Sequence, residues 1–380
     1  MWLALALLDE GLLEKHSMCI AEADSRKGND RTWCYWGRES LFSGAVPEDS
    51  WSHFLQPADD TTAEAIAPYR YFHLRSSDFY AYAKNKLSRS PNVHFVHTSV
   101  SDIAEKGDSL QITSDRGTWS STYAFVSAMP GGLASWKGAV GAFLQNRRAR
   151  DSTMLWQSFV GWRVRSTKPV FKKERATLMH FDVAQQASTQ FIYELPFSEN
   201  EALVELTRFG REKLNEEEAL PLLEEYMSEL TDDYVISEWE IGQIPMTSAL
   251  DMRQKRLRRD ARLIFIGTPG GAVKPTTGYA FKRMEQYARR LAKAIKKGQR
   301  LPSMYRPWRF RMYDALLLHI LANHAQRGRE VFLRLFATQP MARILKFLDE
   351  ETTVFEEILI FSRLPKRLFL RSLTHYLRRA

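Results

Sequence analysis

The stretch Met1–Trp36, MWLALALLDEGLLEKHSMCIAEADSRKGNDRTWCYW, decides how the rest of the chain is read. Leu and Ala fill residues 3–8, and both are strong helix formers. WLALALLDEGLLEK is therefore expected to be helical, interrupted at Gly11. SMCIAEAD, residues 17–24, is a short apolar run that ends in acid. It reads as a buried strand in which Cys19 packs as a small hydrophobe. A helix followed by a strand ending on an acid is the second half of a Rossmann-type βαβ unit. The first half of such a unit is a strand and a Gly-x-Gly-x-x-Gly turn. No such turn occurs in the sequence, so the first strand and the phosphate loop are expected to be missing from a numbering that starts inside the helix.

Composition bounds the rest. With 380 residues, 44% hydrophobic and 26% charged, the chain has enough apolar material for a sizeable core and room for two domains. Two cysteines, Cys19 and Cys34, make no disulfide framework, and a reducing, cytoplasmic setting is the default expectation. No apolar run reaches the ~18 residues that a spanning helix needs. WLALALL lacks the basic flank and small-residue cleavage site of a signal peptide. The net charge of +9 is unevenly placed: from Lys282 onward there are 22 Lys and Arg against 8 Asp and Glu, a local +14, which leaves −5 on the first 281 residues. A basic tail of that kind suits nucleic acid, an anionic membrane surface or an acidic partner.

Along the chain, RSSDFYAYAKNKLSRSP reads as a helix, and residues 92–129 read as consecutive strands with turns at KGD and DRG. Four alternating, aromatic-rich strands follow, DSTMLWQSFVGWRVRS, TLMHFDV, TQFIYELPFS and EALVELTRF, which suggest an antiparallel sheet with one buried face. NEEEALPLLEEYMSEL is helical, with Pro221 expected near its first turn. YVISEWEIGQIPM and ARLIFIGTPGG return to strand. A basic helix follows TTGYAF, and the chain after Pro307 reads as all-helical. His73, His94, His97, His180, His319 and His324 show no ligand spacing, so no metal is expected. No Ser-His-Asp set and no Walker-type loop is visible.

NDRTWCYW, ALVELTRF, EIGQIPM, IGTPGGAVKPTTGYAFKRMEQYARRLA and FLRLF, in this order and spacing, resemble the bacterial lycopene cyclase family of carotenoid synthesis. The resemblance runs from about Met1 to about Pro365. It implies a flavoprotein of the two-domain glutathione-reductase/hydroxylase-like class. The fold class expected is α/β: a Rossmann-like FAD-binding domain, lacking its first strand and Gly-rich loop, assembled from 1–150 and 235–300. An antiparallel β substrate domain would occupy 151–234 and a helical basic region 301–380.

The resemblance also distributes roles. Glu22, at the end of its strand, would accept hydrogen bonds from the adenosine ribose; the alternative is a solvated turn acid. Arg31, Thr32 and Trp33 would meet FAD phosphate charge and the ring system. Gly267, Gly270, Gly271, Pro275, Thr277, Gly278 and Tyr279 match the segment that lies along the ribityl and isoalloxazine. Glycines there allow close backbone approach, and a helix N-terminus offers free N–H groups. Gly267 is followed by Thr268, where flavin hydroxylases show Gly-Asp.

Glu205 is read from the residues themselves. Leu203 and Thr207 share its face of the strand and Val204 and Leu206 take the other. A carboxyl among apolar groups is held protonated, as a general acid must be; the alternative is an edge glutamate facing water. The resemblance implies that the acid at the Glu205 position is catalytic; Glu240, before IGQIPM, also matches a family acid and is the second candidate, and Glu194 reads as structural. The implied reaction is non-redox closure of the ψ-end of lycopene, or of a related ψ-end carotenoid, to a β-ring, with reduced FAD beside the cation and NAD(P)H as reductant. Implied partners are an anionic membrane surface for the basic tail, rather than nucleic acid, and other carotenoid enzymes. Two alternatives stay open: an FAD-dependent monooxygenase or prenyl reductase of the same superfamily, and a truncated, non-catalytic membrane- or partner-binding remnant.

Overall fold

The computed structural model describes residues 1–24, 28–57, 59–128, 153–249, 261–304 and 306–378. The 150/151 domain boundary expected from the sequence lies outside them. The N-terminal part runs α1 (Trp2–Asp9), β1 (Met18–Glu22), β2 (Thr32–Gly37), β3 (Asp49–Trp51), β4 (His53–Gln56), β5 (Asp59–Ala65), β6 (Arg70–Arg75), α2 (Ser76–Leu87) and β7 (Val93–His97). It continues through β8 (Val100–Lys106), β9 (Ser109–Ser114), β10 (Gly117–Ser121) and β11 (Ala124–Val126). The middle contributes β12 (Leu155–Ser166), β13 (Arg175–His180), β14 (Thr189–Pro196), β15 (Glu201–Gly210), α3 (Glu216–Leu230), β16 (Tyr234–Met246) and β17 (Leu263–Phe265). Helices complete it: α4 (Phe281–Lys296), α5 (Trp308–Asn323), α6 (Gly328–Thr338), α7 (Met341–Leu348), α8 (Val354–Ser362) and α9 (Lys366–Leu377).

α1 is apolar all round, and Leu3 to Leu7 are all buried, as a helix inside a core requires. It ends where Gly11 turns left-handed at φ +73°, a conformation that costs glycine nothing. Two parallel strand pairs, β1–β7 and β11–β17, lie near it. Met18 and Ile20 of the first pair, and Phe125 with Ile266 at the second, pack against the same core as α1, α2 and α4. Parallel pairs joined through helices make this the Rossmann-like α/β part, assembled from two separated segments.

Cys19 corrects the expectation of a buried thiol: it is exposed. β1 alternates, with Cys19 and Ala21 on the exposed face and Ile20 on the partly buried one. Strand periodicity thus overrides the apolar character of the run.

The second part is a seven-stranded sheet in the order β16-β12-β15-β14-β13-β4-β5. It is antiparallel except at β13–β4. It therefore takes strands from 53–65 and 234–246 as well as from 151–234, and β16, expected with the flavin segment, is its edge. On one face Val160, Trp162, Ile192, Val204 and Leu206 pack under α3. α3 starts at Asn215, whose side chain accepts from the Glu218 N–H at 2.9 Å. Pro221 is its sixth residue, just past the first turn. The other face of the sheet looks toward β2 and the N-terminus of α4. The C-terminal helices are tied to that region by a buried ion cluster. Lys274 lies 3.3 Å from both Asp314 and Glu350, and Arg306 pairs with the same two acids.

Candidate active site

β15 alternates as its sequence requires. Val204 and Leu206 enter the core beneath α3, while Leu203, Glu205 and Thr207 face the other way. Strand register then builds a row across four strands. Tyr193 of β14 is the direct partner of Glu205, Gly161 of β12 is the next, and Glu240 of β16 pairs with Gly161 from the far side. Direct cross-strand partners project from the same face. Two carboxylates thus stand two strands apart with a glycine between them.

Glu205 is 8% exposed and accepts from the Thr207 hydroxyl at 2.8 Å. Burial pushes its carboxyl up to about 8, and the negative charge of Glu240 adds to the rise while Thr207 opposes it. Burial raises Glu240 too, but the Thr32 hydroxyl and amide N–H, and the nearby His73, pull it back. The Thr32 N–H donates to Glu240 Oε1 at 3.0 Å, and the Thr32 hydroxyl donates to Oε2. Like charges held close cannot both ionise without cost. Both carboxyls sit above the ordinary range; Glu205 is raised the further, and the hydrogen bonds from Thr32 work to keep charge on Glu240.

Beside this row three phenols converge. Tyr71 Oη contacts Tyr193 Oη and lies 2.8 Å from Tyr279 Oη. Burial holds all three well above the ordinary tyrosine range. Cys34 touches Tyr71 and Tyr193, and burial pushes its thiol up to about 12. It is a neutral wall group, not a nucleophile. Trp36 packs edge-on to Tyr279 at 4.7 Å. A cavity of about 300 Å³ opens here, lined by Cys34, Trp36, Lys274, Tyr279, Phe281 and Arg283. A second, of about 380 Å³, lies by Thr32, His73, Arg163, Phe197, Trp239 and Glu240.

The glycine-rich segment divides into two roles. Gly267 and Gly271 are left-handed at φ +61° and +80°, and the turn bonds to itself through Ala272 N–H to Gly267 O at 3.0 Å. A Cβ at Gly270 would meet Phe265 O at 2.5 Å. These glycines, with the buried Pro275, shape the connection from β17. Gly278 is different: a Cβ there would meet Gln157 Oε1 at 2.5 Å. Gln157 Oε1, Thr277 Oγ1 and Trp33 Nε1 are buried without a hydrogen-bond partner, and Trp33 packs on Phe281, the first residue of α4, at 5.1 Å. No side chain caps that helix. Two acceptors, a donor and an uncapped helix N-terminus suit a planar group with hydrogen-bonding edges such as a flavin ring, because buried polar groups need partners.

The remaining residues singled out in the sequence have the following partners. Glu22 ends β1 and accepts from Asp24 N–H at 3.3 Å. Arg31 is half exposed, 3.7 Å from Asp30. Thr32 is hydrogen-bonded to Glu240. Glu194 is on the α3 side, where Tyr226 donates to it at 2.9 Å. Sequence reasoning missed Gly161, Tyr71 and Tyr193. A glycine inside an aromatic-rich strand was the available signal for the first.

Residues 3–374 match the family described as lycopene cyclase protein. A lycopene beta-cyclase from Pseudescherichia vulneris is 26% identical over 253 residues, 59% of this chain and 61% of that protein. One from a Paracoccus species is 28% identical over 182 residues, 45% of each. The matched regions thus span less than two thirds of these relatives' length. Among solved structures, a flavoprotein/dehydrogenase from Cytophaga hutchinsonii superposes with a TM-score of 0.60 at 12% identity, over 99% of this chain and 96% of that one. A geranylgeranyl bacteriochlorophyll reductase-like protein from Thermoplasma acidophilum gives 0.58 at 11%, over 97% and 94%. A mutant of the halogenase PltM in complex with FAD gives 0.56 at 11%, over 97% and 83%. The fold is that of the flavoproteins.

Proposed function

This chain belongs to the lycopene cyclase family, and from that membership we propose that it is a lycopene beta-cyclase, closing ψ-ends to β-rings without net redox change. The observation that carries the reading is the Glu205–Gly161–Glu240 row, a buried carboxyl held up near 8 with a second buried carboxyl two strands away and Tyr193 beside it.

Glu205 donates its proton to the terminal double bond. The tertiary cation that results is attacked by the internal double bond, which forms the ring. The ring cation loses a proton to the carboxylate pair, and both glutamates return to their starting state. Substrate and product have equal mass. The cation forms beside the carboxylate that Glu205 leaves behind, and Tyr193, Tyr279 and Trp36 supply π-faces as well. Cation–π attraction contributes about 2 kcal/mol or more once water is excluded. The ionised Glu240 adds negative charge fixed in advance by Thr32.

Thr277, Gln157 and Trp33 near the start of α4 would hold FAD by its hydrogen-bonding edges, and reduced FAD would supply further negative charge to the site. NAD(P)H is the expected reductant. A substrate this apolar is delivered from a bilayer, and the basic C-terminal helices are the surface proposed to dock there. Among the described residues no helix is long and apolar enough to cross a membrane.

Expression of the chain in lycopene-accumulating cells tests the activity. Conversion of lycopene to monocyclic and bicyclic products of unchanged mass is expected. Products of altered mass would mark a reductase or oxygenase, and unaltered lycopene would overturn the assignment.

A further inference from the structure

The cavity of about 380 Å³ beside Glu240 has the wrong walls for a hydrocarbon. Thr32, His73, Arg163, Glu238 and Glu240 all line it, and a space with that many polar partners suits water. Arg163 is held by Glu201 at 2.5 Å, and Glu238 by Arg75 at 2.9 Å. His73 is tied on one side only. It is 3% exposed, and its ring packs on Phe197 at 5.0 Å. Its Nδ1 lies 3.2 Å from Asp49 Oδ2, and the Asp49 side chain is 46% exposed. An ionised carboxylate only accepts, so Nδ1 carries the hydrogen and Nε2 is left over. Among the described residues no hydrogen bond occupies Nε2. Alternate residues of a strand share a face, and Tyr71, two before His73, contacts Tyr193 of the large sheet. His73 thus stands between a cavity that holds Glu240 and a carboxylate that meets solvent.

We propose that His73 and Asp49 form a proton path that joins Glu240, through water in this cavity, to the solvent. This deepens the cyclase reading and rests on it for its purpose, since each ring takes one proton from the carboxyl pair and returns one. Outward, protonated Glu240 gives its proton to cavity water, which passes one to Nε2. The imidazolium releases its Nδ1 proton to Asp49, and Asp49 releases it to bulk water. Inward, the same transfers run in reverse and restore the imidazole tautomer. Only O–H and N–H bonds form and break, nothing is oxidised or reduced, and the pair and the dyad end each ring as they began. Imidazole suits the task because it accepts at one nitrogen while it releases at the other. The proton added to the next substrate is then a solvent proton, not the one that the previous ring gave up.

The test is cyclisation in D₂O by the wild-type chain, His73→Phe and Asp49→Asn, with lycopene in detergent micelles and the products read by mass spectrometry. Each β-ring formed by the wild type is expected to carry a solvent deuterium. His73→Phe keeps an aromatic ring on Phe197 but has neither nitrogen, and Asp49→Asn removes the outer base. In both, the substrate's own proton is reused, and the deuterium is expected to be lost. Label per ring does not depend on rate, so a variant that is merely less stable makes fewer rings with the wild-type label. Wild-type label in either variant overturns the path, and so do unlabelled rings from the wild type. A second readout needs no substrate. The infrared C=O band that Glu240→Gln removes shifts when its proton is replaced by deuterium. In the variants that shift is expected to be about 100-fold slower, the lower end of what a positioned acid–base group contributes. Should His73→Phe not fold, Asp49→Asn decides both readouts. A wild-type chain that leaves lycopene unchanged sinks the cyclase reading, and the infrared rates then judge the path: equal rates in wild type and variants overturn it.

Discussion

Thr32 binds Glu240 twice: its amide N–H donates to Oε1 at 3.0 Å, and its hydroxyl donates to Oε2. Hydrogen bonds to a carboxylate favour its charged form, and burial opposes it. Thr32 therefore opposes the effect of burial on Glu240 and favours its charged form. Thr32→Val leaves only the amide bond. Glu240 should then rise, hold the proton for part of the time, and cease to push Glu205 up. The alkaline limb of the activity profile should move to lower pH and the maximum rate should fall, with Thr32→Ser recovering both. An unmoved limb in Thr32→Val would separate Glu240 from the acid.

The proton on Glu205 gives the second expectation. Glu205→Gln keeps the shape and removes the acid. Cyclisation should fall at least ~100-fold, the usual scale of general acid catalysis. In the wild type, activity should disappear as pH rises through about 8. Rates are measured across pH 5–10 (a working range of about five units). Near-normal β-ring formation by Glu205→Gln would move the role to Glu240.

Stability should report the same proton independently. In the folded chain Glu205 holds its proton up to about 8, against an ordinary value near 4.5. Below the ordinary value it is protonated in both states and contributes no pH dependence. Between the two values folding requires proton uptake, which costs about 1.4 kcal/mol per pH unit. Above the folded value the penalty is constant. Glu205→Gln carries no such penalty. Its melting temperature relative to wild type should therefore climb from pH ~4.5 to ~8 and then level. A flat difference across that window would mean that Glu205 is not a buried neutral acid.

Local patterns were legible in the sequence where the cause is local. Gly11 breaks α1 because only its own φ is at stake, and Glu205 faces away from Val204 and Leu206 because strands alternate. The partnership of Glu205 with Glu240 was not legible. It depends on β12 lying between β15 and β16, and strand order is a non-local property. Gly161 acquires meaning only with that register. Tyr71, Tyr193 and Tyr279 come from three separate strands and turns, so no spacing announces their convergence. Cys19 misled because its run is apolar, yet period-2 alternation left it on the exposed face.

The ion cluster behind the site makes a stability prediction. Lys274 is 2% exposed and lies between Asp314 and Glu350, while Thr276 Oγ1 donates to Asp314 at 2.7 Å. Burial works to raise both acids, but Lys274 and Arg306 outweigh it and hold them below the ordinary range. Lys274→Met would leave two buried carboxylates with fewer cations. Breaking such a cluster costs about 3–5 kcal/mol, which should appear as a lower denaturation midpoint. The paired acids contribute stability above their ordinary values and lose it as pH falls, so the wild type should lose stability in acid more steeply than Lys274→Met. Equal midpoints at neutral pH would show that the cluster is dispensable.

The membrane docking proposed above would use the C-terminal helices. Trp308 begins α5 and is 65% exposed, and Val354, Phe355 and Ile358 of α8 are 60%, 70% and 59% exposed. Arg309 joins the two helix starts, donating to Thr352 O at 3.2 Å and to Glu357 at 3.0 Å. Four large apolar groups therefore share one end of the helical region. Along the same exposed side of α8 the chain reaches Arg363, and α9 follows with Lys366, Arg367 and Arg371, all exposed. Apolar tips with cations behind them match a surface of anionic lipid: each basic residue near it contributes about 1 kcal/mol, weakened by salt, and a Phe side chain moved out of water contributes about 1.5–3 kcal/mol. Sedimentation with vesicles of mixed anionic and neutral lipid is expected to pull down the chain, less so as salt rises. Phe355→Ser with Trp308→Ser should weaken binding at every salt concentration, while Lys366→Gln with Arg367→Gln should chiefly flatten the salt dependence. Equal binding to purely neutral vesicles would remove the electrostatic half of the argument, and unchanged binding by the Phe355/Trp308 variant would remove the apolar half.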